Sequence, residues 1–263
     1  MSVSARATAI KGVVTASTNG GGERQLSRGD SIRGGTVVAT RAEAGALFRP
    51  SANSALVVYP SSKVRFDGAT VSPGSENVAC TILEGKAWFS VGQNGTAPEG
   101  APSSVTIKVV TEQGTIEGKA GNWTVQSGEG RTMVAVGEGK SLVSIGGAGG
   151  AASGGVTGKV EVPKGSVIWL YTREGGAIEA ELVNTENGTV MKVGPGGTLG
   201  SPTKADANLL ADSRNGLSTP SSEGGTQQLP TSTGGQPGNT PTTQNPDFSS
   251  PTPKVPVVSS ETP

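Results

Sequence analysis

The side chains that most often carry chemistry are nearly missing from this chain. Its 263 residues include no histidine and one cysteine, Cys80. Without imidazole there is no Ser-His or Cys-His catalytic pair, and the commonest general base and metal ligand are both gone. One thiol excludes an intrachain disulfide and a cysteine zinc cluster. Cys80 lies between Ala79 and Thr81-Ile82-Leu83, the setting of an inert buried thiol in a strand.

What remains for acid–base work is carboxylate: 21 Asp and Glu, only five of them Asp. A glycosidase needs two carboxyls facing each other across a cleft. Glu84, Glu112, Glu117, Glu129, Glu138 and Glu174 stand singly beside turns and read as solvated loop charges. Carboxylates alone hold hard cations weakly unless several converge. The chain is therefore read as a non-enzyme, with no catalytic residue, no cofactor and no metal assigned.

Other motifs have plainer readings. Gly118-Lys119-Ala120-Gly121 and Gly137-Glu138-Gly139-Lys140-Ser141 resemble phosphate loops only faintly; neither fits GxxxxGK[ST], and both read as β-turns. Arg28-Gly29-Asp30 spells an integrin-binding tripeptide but reads as an ordinary loop before Ser31-Ile32. Asn94, Asn122 and Asn187 open Asn-x-Thr triplets, two of them in Asn-Gly turns. Trp88, Trp123 and Trp169 sit inside apolar runs. They are the candidate partner-facing residues, stacking on sugars or meeting a protein if exposed, and core residues otherwise.

The elements that must position these residues are strands. The chain has 42 Gly, 28 Val, 8 Ile and 12 Leu, with 3% aromatics. Valine favours strands through its stiff, branched side chain, and Gly and Asn supply the positive φ of tight turns. Strand-like runs fall at Arg6–Ala16, Thr36–Thr40, Ala44–Arg49, Ala55–Tyr59, Lys63–Phe66, Ala79–Leu83, Lys86–Val91 and Val105–Thr111. They continue at Asn122–Ser127, Thr132–Val136, Lys140–Ile145, Val156–Val162, Ser166–Thr172, Ala177–Val183 and Thr189–Val193. Spacing of about 8–12 residues fits a sandwich, barrel or solenoid. The predicted fold is all-β: a twisted solenoid-like or sandwich stack of short, mostly antiparallel strands over residues 1–200.

Within that domain, residues 146–155 (GGAGGAASGG) read as a flexible loop. Residues 201–216 read as one short helix, capped by Ser201 with Pro202 in its first turn. Residues 217–263 read as a disordered Pro/Thr/Ser/Gly tail. From Ser218 onward, 46 residues hold 9 Pro, 17 Ser or Thr, 5 Gly and four charges, too little apolar surface to offset chain entropy. Deleting that tail is expected to leave melting of the folded part unchanged. Lys254-Val255-Pro256-Val257-Val258 is its one stretch able to add to a sheet edge.

Charge and hydropathy narrow the partners. Lys+Arg and Asp+Glu are 21 each, so no basic excess draws nucleic acid or an anionic membrane. No apolar run approaches the roughly 18 residues of a membrane span. Met1–Gly12 has no apolar core or cleavage pattern and is not read as a signal peptide.

Five segments in order resemble the FecR domain, an extracytoplasmic β-domain of bacterial iron-siderophore signalling regulators that also occurs in stand-alone envelope proteins. Arg28-Gly29-Asp30-Ser31-Ile32-Arg33-Gly34-Gly35-Thr36 through Thr40 is similar to its GD-x-I-x-x-G opening. Ala46-Leu47-Phe48 and Pro60-Ser61-Ser62-Lys63-Val64-Arg65-Phe66 resemble its next strand and corner. Leu83-Glu84-Gly85-Lys86-Ala87-Trp88-Phe89 resembles its L-x-G-x-(V/A)-(W/F) strand. Val109-Val110-Thr111 through Gly121-Asn122-Trp123 and Val134 through Gly139-Lys140 to Val143 resemble its closing segments. Glu112 stands where the family has Pro, and Gly121-Asn122 replaces Gly-Thr.

The resemblance covers about residues 6–145, with Val156–Val193 as an extension. It implies that Gly29, Asp30, Gly35, Gly85, Gly121 and Gly139 keep turns and are not catalytic. It also implies an extracytoplasmic place, in the periplasm or on the cell surface. The function expected is a non-enzymatic binding or structural module that docks an envelope protein, a polysaccharide or another copy of itself. The alternatives are a carbohydrate-active β-solenoid enzyme using Asp and Glu, and a periplasmic signalling regulator of the iron-siderophore type.

Overall fold

Valine-rich runs separated by glycines form strands, but of very unequal length. The computed structural model describes residues 2–18, 21–72, 74–92, 104–146, 155–218, 220, 222–223 and 226–227. These fall in one unit, Met1–Ser232. The predicted loop across 147–154, the tail beyond 227, its Lys254–Val258 stretch and the Asn94 triplet lie outside the described residues.

The first half of the chain supplies β1 (Ser2–Val3), β2 (Ala5–Lys11), β3 (Val14–Ser17), β4 (Arg24–Gln25), β5 (Ser31–Ile32) and β6 (Thr36–Thr40). It continues with β7 (Gly45–Ser51), β8 (Ser54–Val58), β9 (Lys63–Ser72), β10 (Ser75–Val91), β11 (Ser104–Val110) and β12 (Gly114–Gly128). The second half supplies β13 (Arg131–Ile145), β14 (Gly158–Pro163), β15 (Ser166–Thr172), β16 (Ile178–Asn184), β17 (Thr189–Val193) and β18 (Thr203–Lys204). Then come the helix α1 (Ala207–Gly216) and a small hairpin, β19 (Ser222–Glu223) with β20 (Thr226–Gln227).

The fold is all-β and, among the described strands, every ladder except β10–β11 is antiparallel. Strands β1 to β18 form one sheet folded into two layers. The first runs β4–β3–β6–β9–β10–β11–β12–β13–β14. The second runs β5–β2–β7–β8–β10–β12–β13–β15–β16–β17–β18. The shared strands β10, β12 and β13 have 17, 15 and 15 residues. They are long where the sequence predicts short ones, because each passes from one layer into the other.

Each crossing is made at a glycine. Gly85, Gly121 and Gly139 have φ of +87°, +91° and +74°. The ladder slips beside them, between Ile82 and Glu84, between Gly118 and Gly121, and between Asn122 and Trp123. This is the bulge by which a strand bends and continues, and a residue without Cβ adopts it without penalty. The two glycine-rich pieces predicted as β-turns are thus bends inside β12 and β13, with Gly121 opposite Gly139. Their local conformation is that of a turn, but the ladder resumes beyond it.

The main core lies between the layers. Cys80, Val109, Ile116, Val143 and Val160 form one cross-strand row of the first layer. Ala7, Phe48, Leu56, Phe89, Trp123 and Val136 form the facing row of the second. All belong to one buried cluster. The second layer is apolar on its outer face too. There Leu209 and Leu210 of α1, with Leu217 just after it, cover Met133, Ala135, Val167, Trp169 and Val183.

The helix begins later than predicted. Thr203-Lys204 is drawn into β18 against β17, so the cap is Asp206 rather than Ser201. Its Oδ1 accepts from the Asn208 and Leu209 amides at 2.8 and 3.4 Å. An aspartate is a strong cap because its charge also complements the helix dipole.

Candidate functional site

The motif glycines and Asp30 are spent on backbone geometry. Gly29 and Gly35 have φ of +97° and +83°. Asp30 Oδ2 accepts from the Ser27 amide at 3.0 Å and from Arg24 Nη1 at 2.9 Å. The Ser27 amide first, and then Arg24, hold this carboxyl below the usual aspartate value. The acid of the Arg28-Gly29-Asp30 tripeptide is therefore engaged within its own loop. At the next bend Ser62 Oγ donates to Pro60 O at 3.0 Å and accepts from the Lys86 amide at 2.9 Å. A side chain at Gly85 would collide with Ser62.

All three tryptophans are buried. Trp88, Trp123 and Trp169 are 3%, 1% and 8% exposed. Their burial fits the core alternative of the sequence reading rather than an exposed stacking surface. Trp123 stacks beside Phe89 in the main core, with ring centroids 6.1 Å apart. Trp169 lies under α1, its Nε1 donating to Ser213 Oγ at 2.9 Å. Trp88 packs with Leu47, Ala55 and Val57 on the same outer face.

The carboxylates do not converge. Among the described residues, no three His, Cys, Asp or Glu come together as a cation site. Glu84 and Glu129 reach one shallow cleft of about 240 Å³ with Arg131 and Trp169. Both are exposed. A carboxyl that must keep a proton near neutral pH needs burial or an adjacent negative charge.

Two buried polar groups escape sequence reasoning. Gln113 is 1% exposed. Its Oε1 accepts from Thr132 Oγ1 at 2.6 Å and its Nε2 donates to Thr172 Oγ1 at 3.0 Å. The amide thus ties the β11–β12 turn to the start of β13 and the end of β15, a satisfied clamp without a nucleophile. Glu76 is also 1% exposed, at the start of β10, and neither carboxylate oxygen has a hydrogen-bond partner of good geometry. Burial pushes this carboxyl up; the Ser51 and Ser54 hydroxyls oppose that in part. Only the alternation of β10, with Glu76, Val78, Cys80 and Ile82 on one face, marks it in the sequence.

The chain matches no known family profile and no curated protein. Among solved structures it is similar to a proposed anti-sigma factor from Parabacteroides distasonis, seen in two crystal structures. Identity is 16% in both, with TM-scores of 0.35 and 0.36. The likeness covers 61% of this chain and 60% of that one, so it spans about three fifths of either.

Proposed function

We propose that the chain is a non-enzymatic docking module of a bacterial cell envelope, placed outside the cytoplasm, whose partner is a protein that pairs with strand β14. The observation that carries this reading is the edge of the first layer. β14 pairs with β13 on one side; among the described residues its other side is met at Gly158, bridged to Gly196, and at Lys159, against which Gly197 lies close, while Val160 to Pro163 have no ladder there. Val160 and Val162 point into the core while Lys159 and Glu161 point out. Such an edge accepts an added strand, and its charges and Pro163 keep it from pairing indiscriminately.

The FecR-like order of motifs supports the envelope assignment. Its five glycines, Gly29, Gly35, Gly85, Gly121 and Gly139, all have positive φ, the conformation that turn-keeping residues require. The exposed setting of Glu84 and Glu129 speaks against glycoside hydrolysis in the cleft they share.

The test is site-specific photo-crosslinking in bacteria, with the crosslinking residue in place of Glu161 or, as a control on the other layer, Gln126. A single envelope protein trapped from position 161 and not from 126 is the expected result. Release of reducing sugar ends from envelope polysaccharide by the purified chain, or a cytoplasmic location by fractionation, overturns the reading.

A further inference from the structure

Four polar side chains from three strands border the cleft that Glu84 and Glu129 share. Glu84 stands at the bend of β10, Gln126 near the end of β12, Glu129 in the β12–β13 turn and Arg131 at the start of β13. Its apolar part is Met133 and the small accessible strip of Trp169. All four polar residues are exposed. Among the described residues, none of their side chains makes a hydrogen bond or an ion pair, although two carboxylates and a guanidinium border the same space.

The backbone around the cleft is fixed. Thr132 Oγ1 bridges Gln113 Oε1 and Ser127 Oγ, at 2.6 and 3.2 Å, which ties down the hairpin carrying Gln126, Glu129 and Arg131. Only three non-glycine residues among those described have a left-handed backbone, and two of them, Ser61 and Glu129, line this cleft, each with φ of 52°. Such conformations are kept where the surrounding structure imposes them, and they cluster at sites that clamp ligands.

The polar groups select among ligand chemistries. Glu84 and Glu129 can only accept hydrogen bonds when ionised, Arg131 can only donate, and Gln126 does both. An anion would meet two carboxylates, and a cation would leave Arg131 opposed. A ring bearing several hydroxyls donates and accepts at each of them, so it can satisfy all four side chains while its C–H surface meets Met133 and Trp169. A peptide finds no open edge here: β10 is paired with β8 and β12, β12 with β10 and β13, and β13 with β12 and β15. The cleft volume of about 240 Å³ lies below that of drug-sized sites, roughly 300–1,000 Å³, and suits a single ring.

We propose that this cleft is a subsite for one ring of a neutral saccharide, which it binds and does not cleave. Binding without cleavage follows from the same exposure that leaves neither carboxyl a reason to keep a proton near neutral pH. The subsite lies apart from the β14 edge and does not depend on it.

The test is an NMR titration of the full ¹⁵N-labelled chain with maltose, cellobiose or N,N′-diacetylchitobiose, with glucuronate and spermidine as charged comparisons. A saturable shift of the Trp169 indole N–H and the Gln126 side-chain amide with at least one neutral sugar is the expected result, the Trp123 indole staying in place. Arg131→Met and Glu84→Gln should each weaken that binding about tenfold or more while the melting temperature holds. No saturable shift with any of the three sugars overturns the proposal. Preferential binding of glucuronate or spermidine also overturns it, by making the cleft an ion site. Sugar binding that survives both substitutions overturns it as well, because the sugar then sits elsewhere. Crosslinking at position 161 reads the β14 edge separately, so failure of one reading leaves the other standing.

Discussion

The indole ring of Trp123 occupies the space in which a side chain at position 118 would stand. Both residues belong to β12, five positions apart on either side of its bend, so the strand folds its own tryptophan back over its own glycine. Gly118→Ala therefore overpacks the core without any left-handed backbone strain. Overpacked sites cost about 1–3 kcal/mol. A loss of that size in urea unfolding is expected, and Trp123→Phe in the same chain should recover part of it. Strict additivity of the two substitutions would show that the ring and the glycine do not meet.

The bend glycines differ from the turn glycines by their surroundings. At Gly121 a Cβ would run into the Glu138 carbonyl on β13; at Gly35 it would meet nothing within 4 Å. Both have positive φ. Gly35→Ala should cost about 1–2 kcal/mol, the left-handed penalty alone. Gly121→Ala adds about 1–3 kcal/mol for the blocked approach. Equal losses in chemical denaturation would mean that close approach of β12 and β13 is not what the bend requires.

Ser213 is fully buried and holds the helix to the sheet through Trp169 Nε1. Ser213→Ala keeps the packing but leaves the indole N–H unpaired, which costs about 1–3 kcal/mol. The change should lower the melting temperature and quicken exchange of α1 amides more than those of β10. Uniform quickening across the fold would mean that α1 does not open separately from the sheet.

Cys80 sits in the core row of the first layer, and burial pushes its thiol well above the usual cysteine value. The thiolate is the reactive form. A thiol reagent should thus modify the folded protein only at the rate of unfolding. Fast stoichiometric labelling under native conditions would place Cys80 at the surface.

What the sequence made legible was periodic and local. The valine–glycine rhythm predicts an all-β fold, and β14, buried at Val160 and Val162 only, follows simple alternation. The second layer was harder to read. All five residues of β8 are buried, as are Ala87 to Val91 of β10. Such unbroken apolar runs signal burial on both faces, and that signal was the one able to place Trp88 and Trp169 inside. The bends at Gly121 and Gly139 were hidden because a bulge and a turn ask the same φ of glycine. Only pairing across the ladder, 18 residues apart, tells them apart. Glu76 and Gln113 look like loop or surface residues in one dimension, since what buries them comes from distant strands.

Glu76 gives the pH dependence that can be checked most directly. Its carboxyl points inward at the start of β10, and burial raises its pKa above the ordinary 4.5. The folded state therefore holds the proton more tightly than the unfolded chain does. The contribution to stability is fully present below the unfolded value and is lost as pH rises through the folded one. Above that window the protein carries either a buried charge or the cost of neutralising it. Glu76→Gln keeps the shape and removes the charge, so it should raise the urea midpoint at pH 7 and have little or no stabilising effect at pH 4. The gain should appear progressively as pH climbs between those points. A gain that does not change with pH would mean that the substitution acts through packing, and an unchanged midpoint at pH 7 would mean that the carboxylate finds compensation at the Ser51 and Ser54 hydroxyls.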